Sequence, residues 1–411
     1  MLTRAVEDIS QNARDILRIR MPLDALNSLF VRWPEGEPRP AALFQKAGVE
    51  AVVGDKLPAG LPAALDEGLY PGIRTPGTRV DWVEEVASAS REPWIDSNAW
   101  LVRCQHAMHP GKPVLLGYQA NEKAGVAADR MVPLESLEIG LMEARAMGGN
   151  WIAAPDERFR RLLNGNDAGA VDAFTKFGVF AAWLKANKGL FGHPMFGTIT
   201  AMVDDEMSQE HANLMFRRGA SPKLVRPADV PAPSAECLCM VAAGVKTPDA
   251  ATRTKLLAHA RAGALLVVDA QGDKAWWRDA AMKPGKEQTD RKFYTLGKGS
   301  IVAYSEEVAN PSEFALDVID LVTYRNRPVR AWGAGNVVYT ASRRGAESIA
   351  TLMNYGRSKM YDVQVRIRGR YKSAVLHTPE GGPKTLEARG REAMTEVFLP
   401  EMGRMGVVVF G

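Results

Sequence analysis

The 411-residue chain has only three cysteines, Cys104, Cys237 and Cys239. So sparse and odd a set excludes a disulfide framework of the kind that staples small secreted domains. Cys237 and Cys239 alternate within an apolar run, which puts both thiols on one face of an expected strand and points to core packing rather than metal binding. The six histidines are scattered. Only His106 and His109 share a spacing that suits a helix face, and no third ligand lies near them, so no metal site is expected. Long apolar runs are missing too. No stretch reaches the ~18 residues a membrane-spanning helix needs, and no such span is expected. Lys/Arg blocks are absent, the net charge is only +4, and charged residues make up 24% of the chain, which argues against nucleic acid as a partner. Gly297-Lys298-Gly299 lacks the spacing and the Lys-Ser/Thr ending of a phosphate loop. A G-x-S-x-G elbow is lacking as well, and no cofactor is expected.

What is present is an ordinary globular composition, 46% apolar, in a chain long enough for two or three cores. The first twenty residues form an amphipathic helix pattern, with Val6, Ile9, Ala13, Ile16 and Leu17 on one side. The continuous apolar segment of a signal peptide is not there. A cytoplasmic location is expected for the chain as written, and a periplasmic or secreted one if a leader was removed.

Residues 1–190 alternate between strand and helix. Strands are expected over Leu23–Val31, Val49–Val53, Leu69–Ile73, Trp94-Ile95, Val114–Gly117 and Asn150–Ala154. Helices are expected over Ala41–Ala47, Leu61–Glu67, Asp81–Ser88, from Pro133 to the Gly148-Gly149 stop, and over Ala168–Asn187. This is the rhythm of a (β/α) barrel, although about six strands are legible where a complete barrel has about eight. Residues 197–327 alternate again: four or five strands, among them Cys237–Ala242, Ala264–Asp269 and Ser300–Tyr304, read as a doubly wound, flavodoxin-like domain. From 330 to 411 short β-rich runs separated by turns such as Gly381-Gly382-Pro383 read as a small antiparallel β-sandwich. The fold class is α/β in three parts.

One stretch, Arg91–Glu122, concentrates the chemistry. In a parallel sheet, functional groups sit just past the C-terminal ends of strands. Asp96 and Asn98 follow Trp94-Ile95, and Gln119 and Glu122 follow Val114–Gly117. Glu122 and Asp96 are the candidate catalytic pair: one acid to protonate a leaving oxygen, one carboxylate to attack or to activate water, at the short separations glycoside hydrolysis uses. The plainer alternative is that Asp96 caps a helix and Glu122 is a loop charge. Trp33, Trp94 and Trp100 offer indole faces to sugar rings, or else pack in the core. Asn98, Gln119 and Asn150 match sugar hydroxyls with paired donors and acceptors. Arg74 would take a carboxylate, which hints at an acidic sugar and a weaker lyase or hydrolase reading on uronates. Asp156, after Pro155, either joins this site or starts a helix. Asp204-Asp205-Glu206 reads as a helix N-terminus before it reads as a Mg²⁺ site.

Three further segments carry a resemblance. Leu256–Val268 is a helix, then glycine, then strand; Leu296–Val302 is a glycine turn into a strand; Leu352–Gly356 and Leu399–Phe410 are sandwich-like. Together with the order barrel, flavodoxin-like domain, sandwich, they resemble the family 42 beta-galactosidases among multidomain glycoside hydrolases. The resemblance implies a glutamine-amidotransferase-like middle domain with a structural or oligomerising role, a homodimer or homotrimer, and a carbohydrate substrate. It also implies catalytic glutamates after two barrel strands, and Asn121-Glu122 resembles the acid/base pair. A glycoside hydrolase-like enzyme is therefore the expectation; the alternative is a carbohydrate-binding or scaffolding protein on a degenerate, inactive barrel.

Overall fold

The computed structural model describes residues 23–54, 82–83, 86–87, 98–117, 135–270, 276–308, 310–323, 326–334, 336–356 and 358–411. It is a mixed α/β protein with several sheets. Its N-terminal part contains β1 (Phe30–Arg32), α1 (Ala41–Lys46), β2 (Ala51–Val53), a hairpin of β3 (Trp82–Val83) and β4 (Val86–Ala87), α2 (Asn98–Met108) and β5 (Leu115–Leu116). There follow α3 (Glu135–Ala146), β6 (Asn150–Ala153), α4 (Glu157–Asn164) and α5 (Ala168–Ala186). β2, β1, β6 and β5 form a parallel sheet in that order, so the first strand lies beside the last.

Side chains alternate across this sheet. Val31, Trp33, Leu116, Trp151 and Ala153 face a core shared with Phe44, Val102, Leu141, Phe159 and Phe174, one from each of α1 to α5. Phe30, Val53, Leu115 and Ile152 form a separate apolar cluster on the other face. All five helices of the described residues thus pack on one side.

Two expectations fail here. The strand expected over Leu23–Val31 shrinks to β1, because Asp24 closes a turn: its side chain accepts from the backbone of Leu26 and Asn27, and its carbonyl from Asn27 and Ser28. The helix expected over Asp81–Ser88 is instead the hairpin β3–β4, where the aromatic and β-branched residues Trp82, Val83 and Val86 prefer the extended state. The expected elements at 1–20, Leu61–Glu67, Leu69–Ile73 and Trp94-Ile95 lie outside the described residues.

The second part contains β7 (Ile199–Met202), α6 (Glu206–Arg217), β8 (Lys223–Val225), β9 (Cys239–Ala242), α7 (Ala250–Ala262) and β10 (Leu265–Val268). β11 (Lys283–Glu287), β12 (Arg291–Leu296), β13 (Gly299–Tyr304) and α8 (Pro311–Val322) complete it. The sheet runs β11-β12-β13-β10-β9-β7-β8. It is parallel from β13 to β8, with α7 packed on one face and α6 and α8 on the other. β13 crosses the end of α7 at Gly299, where a Cβ would lie 2.2 Å from the Ala264 carbonyl oxygen; only glycine fits this helix-to-strand approach. The antiparallel pair β11–β12 extends the edge beyond the strands legible in sequence, because Lys-Pro-Gly-Lys-Glu is exposed throughout and carries no apolar alternation.

The last part is two antiparallel sheets. Its strands are β14 (Val329–Trp332), β15 (Val337–Arg344), β16 (Glu347–Asn354), β17 (Met360–Arg368), β18 (Ala374–Thr378), β19 (Gly381–Leu386), β20 (Arg389–Arg391), β21 (Met394–Met402) and β22 (Met405–Phe410). They pair as β14-β17-β21-β20 and β15-β16-β22-β18-β19. Val363, Val365, Val397 and Leu399 meet Ala350, Leu352, Val408 and Phe410 between the sheets. The five-stranded sheet is buried on its other face too, where Ile349, Met353, Met405 and Val407 join the core of the N-terminal helices. That is why β22 is buried along its whole length.

Candidate functional site

The C-terminal edge of the first parallel sheet is where loops converge and ligands bind in such folds. Arg32 ends β1 and Trp33 follows it, Gly54 follows β2, Gly117 follows β5, and Ala154-Pro155-Asp156 follows β6. By alternation Arg32 shares the face of Phe30, away from the helices, and it is buried. Its Nη1 donates to the Gly54 carbonyl at 3.0 Å, clamping two neighbouring strand ends. In the loop after β1, Glu37 accepts a two-pronged salt bridge from Arg160 at 2.8 and 2.9 Å. Arg160 also donates to the Pro155 carbonyl at 2.8 Å, tying the ends of β1 and β6 together. Asp156 accepts from the Phe159 amide at 2.8 Å and caps α4. The edge therefore carries guanidinium and carboxylate groups, and the face on which Arg32 lies is apolar lower down. Arg32, Asp156 and Arg160 are themselves buried, and their hydrogen bonds hold this edge together.

The structure spreads the expected site residues. Trp33 turns to the helix side and is fully buried; its Nε1 donates to the Pro38 carbonyl at 3.0 Å and its ring meets Phe44 edge-on at 5.2 Å. It is a core residue, and its indole offers no face to a ligand. Trp100 is buried in the same core. Asn98 opens α2 and its amide N–H donates to Glu143 Oε2 at 2.9 Å. The side-chain amide of Asn98 and Nε1 of Trp100 are buried with no hydrogen-bond partner among the described residues. Asn150 starts β6, so it sits at the opposite edge, roughly 10 Å of strand away from Ala153 at the end of β6. It is consumed there: Oδ1 accepts from Arg145 at 2.9 Å, and Nδ2 donates to the carbonyls of Ala25 and Ser28. Of the described candidates only Asp156 stands beside Arg32's edge as a polar group. Arg74, Trp94, Asp96, Gln119 and Glu122 lie outside the described residues.

Sequence reasoning passed over Arg32, the Glu37–Arg160 pair and Glu143. Arg32 had a signal, a charge at an alternate position in the run Leu29-Phe30-Val31-Arg32-Trp33. Glu143 is fully buried on α3 and accepts from the Tyr355 hydroxyl as well as from Asn98, joining the helices to the sandwich. Arg404 adds a second link, donating to Glu138 at 3.1 Å. Burial lowers both Arg103 and Arg145 to about 10; Arg103 donates to the His193 carbonyl at 2.9 Å. His106 is held down by burial and by Arg103, and its ring contacts the Gly148 carbonyl near the start of β6.

In the second part, Asp205 and Ser208 form a reciprocal cap on α6, which accounts for the acidic triplet as a helix start. His211 is buried, drops to about 4 through desolvation, and contacts the Ala243 carbonyl. Burial pushes Cys104 up to about 12 and raises Cys237 and Cys239, so none is a ready nucleophile. Among the described residues no three His, Cys, Asp or Glu side chains gather as a metal site.

No family model matches the chain, and no curated protein matches its sequence. Solved structures do. A beta-galactosidase from Bacillus circulans sp. alkalophilus aligns with a TM-score of 0.55 at 8% identity, over 90% of this chain and 61% of that one. Alpha-L-fucosidase isoenzyme 2 from Paenibacillus thiaminolyticus aligns with a TM-score of 0.52 at 8% identity, over 76% and 62%. A GH42 beta-galactosidase from G. stearothermophilus gives 0.48 at 11% identity, over 93% and 63%. The chain thus shares a fold with the first two, a beta-galactosidase and an alpha-L-fucosidase, at 8% identity. The chain spans about three-fifths of the length of these proteins.

Proposed function

We propose that the chain is a glycoside hydrolase-like protein that holds an oligo- or polysaccharide at the C-terminal edge of its first parallel sheet. One observation carries this reading: among the described residues, the order β2-β1-β6-β5 with five helices on a single face. A doubly wound sheet is covered on both faces, whereas a (β/α) barrel keeps its helices outside and returns its last strand to its first. The likeness to the beta-galactosidase and fucosidase structures supports the same reading. On it, residues 1–190 are a barrel segment, 197–327 a flavodoxin-like domain and 330–411 a β-sandwich. The middle sheet supports its assignment, since its parallel strands run 2-1-3-4-5 when counted from β7. The middle domain is glutamine-amidotransferase-like and serves in structure or in assembly as a dimer or trimer.

Glu122 is the acid/base and Asp96 the nucleophile or water-activating base, without a cofactor. A panel of aryl glycosides and polysaccharides, assayed for released reducing sugar, tests this. Glu122→Ala and Asp96→Ala should each reduce turnover by at least about 100-fold with an unchanged circular dichroism spectrum. Wild-type activity in both variants would remove the pair.

A second reading is a carbohydrate-binding protein on a degenerate, inactive barrel. The low number of strands legible in the sequence, about six, motivates it. Sugar binding by the wild type with no hydrolysis anywhere on the panel decides for the binder.

A further inference from the structure

The outer face of the sheet β14-β17-β21-β20 carries an aromatic and guanidinium array that neither the fold nor the proposed barrel site uses. Register places Trp332 beside Gln364 and Gln364 beside Phe398, one row across three strands. The adjoining row is Arg330, Arg366, Glu396 and Arg389. These positions point away from the sandwich interior, because their neighbours Val363, Val365, Val397 and Leu399 fill it. Phe398 is 44% exposed, although most large apolar side chains of the described residues are buried. Arg330 and Arg366 lie 4.7 and 4.6 Å from the Trp332 ring centroid, and Arg389 lies 5.8 Å from that of Phe398.

Glu396 accepts from Gln364 and Arg366, and the mostly exposed Arg391 forms a looser ion pair with it at 3.9 Å. Arg389 pairs with the exposed Glu387 at 2.7 Å. The Arg389 and Arg391 side chains are thus more than half exposed on a face that also presents an open ring.

We infer that this face binds an anionic glycan, with Arg389 and Arg391 taking its carboxylates and Phe398 and Trp332 packing against its rings. The choice of a glycan over another polyanion rests on the proposed carbohydrate function; the positive charge and the exposed ring do not.

Native gel electrophoresis of the whole chain through polygalacturonate tests the inference, with neutral galactan as control and single-stranded DNA as competitor. Polygalacturonate should retard the wild type, galactan should not, and added salt should reverse the effect. Phe398→Ala combined with Trp332→Ala should weaken retardation at least about tenfold, and Arg389→Glu combined with Arg391→Glu should abolish it. Near-ultraviolet circular dichroism confirms that each variant is folded. The inference is overturned by no retardation, by equal retardation in galactan, by retardation that both variants retain, or by preferential capture of DNA. It is overturned equally by a dimer in sedimentation that Phe398→Ala dissociates, which would make the face a contact between copies. Because binding is read without turnover, hydrolysis without retardation removes this inference alone, and retardation without hydrolysis removes only the catalytic reading.

Discussion

Deleting one oxygen tests how the sandwich is held to the N-terminal helices. Tyr355 follows β16 and donates to Glu143 of α3, 212 residues earlier in the chain. Glu143 is fully buried, so water does not replace a lost donor. Tyr355→Phe keeps the ring and its packing but removes a hydrogen bond to a carboxylate, a loss of about 1.5–3 kcal/mol. The Asn98 amide still serves Oε2 at 2.9 Å, which keeps the cost below that of a stranded charge. In urea titrations followed by circular dichroism and tryptophan fluorescence, the loss is a lower midpoint. Glu143→Gln completes a double-mutant cycle, and a coupling of about 0.5–3 kcal/mol is expected between the two sites. Strict additivity, or a Tyr355→Phe protein within about 0.5 kcal/mol of wild type, refutes the lock.

Acid should weaken the protein through His211. Burial holds this imidazole near 4 against an ordinary value of 6.5, so the unfolded chain takes up a proton that the folded chain refuses. The contribution is complete above pH 6.5 and declines as pH falls towards 4, by up to about 3 kcal/mol. Urea midpoints at pH 7, 5.5 and 4.5 should show a shallower decline in His211→Gln; an identical slope in both proteins speaks against it. Gly178 on α5 faces Ala47, and a Cβ there would lie 2.5 Å from the Ala47 carbonyl oxygen and 2.7 Å from its Cα. Gly178→Ala gains about 1 kcal/mol of helix propensity but meets backbone, and the overpacking cost of about 1–3 kcal/mol should win. A higher thermal midpoint in that variant contradicts the close approach.

Much of this architecture was already written in local sequence. Asp167, Asp249 and Asn310 cap α5, α7 and α8, and Gly263 ends α7. Apolar runs such as Cys239–Ala242 and Leu265–Val268 became buried parallel strands. These features depend on caps, periodicity and burial within a dozen residues, which is the range over which side chains govern their own backbone. The grouping of the site depended on something else. Whether Trp33 faces helices or ligand is decided by which side of the sheet β2-β1-β6-β5 the helices dock on. The clamps Arg32 to Gly54, Arg160 to Glu37 and Tyr355 to Glu143 join residues that no local period connects. Such pairings arise only when sheets and helices dock, because a hydrogen bond across the core is selected by burial and not by spacing along the chain.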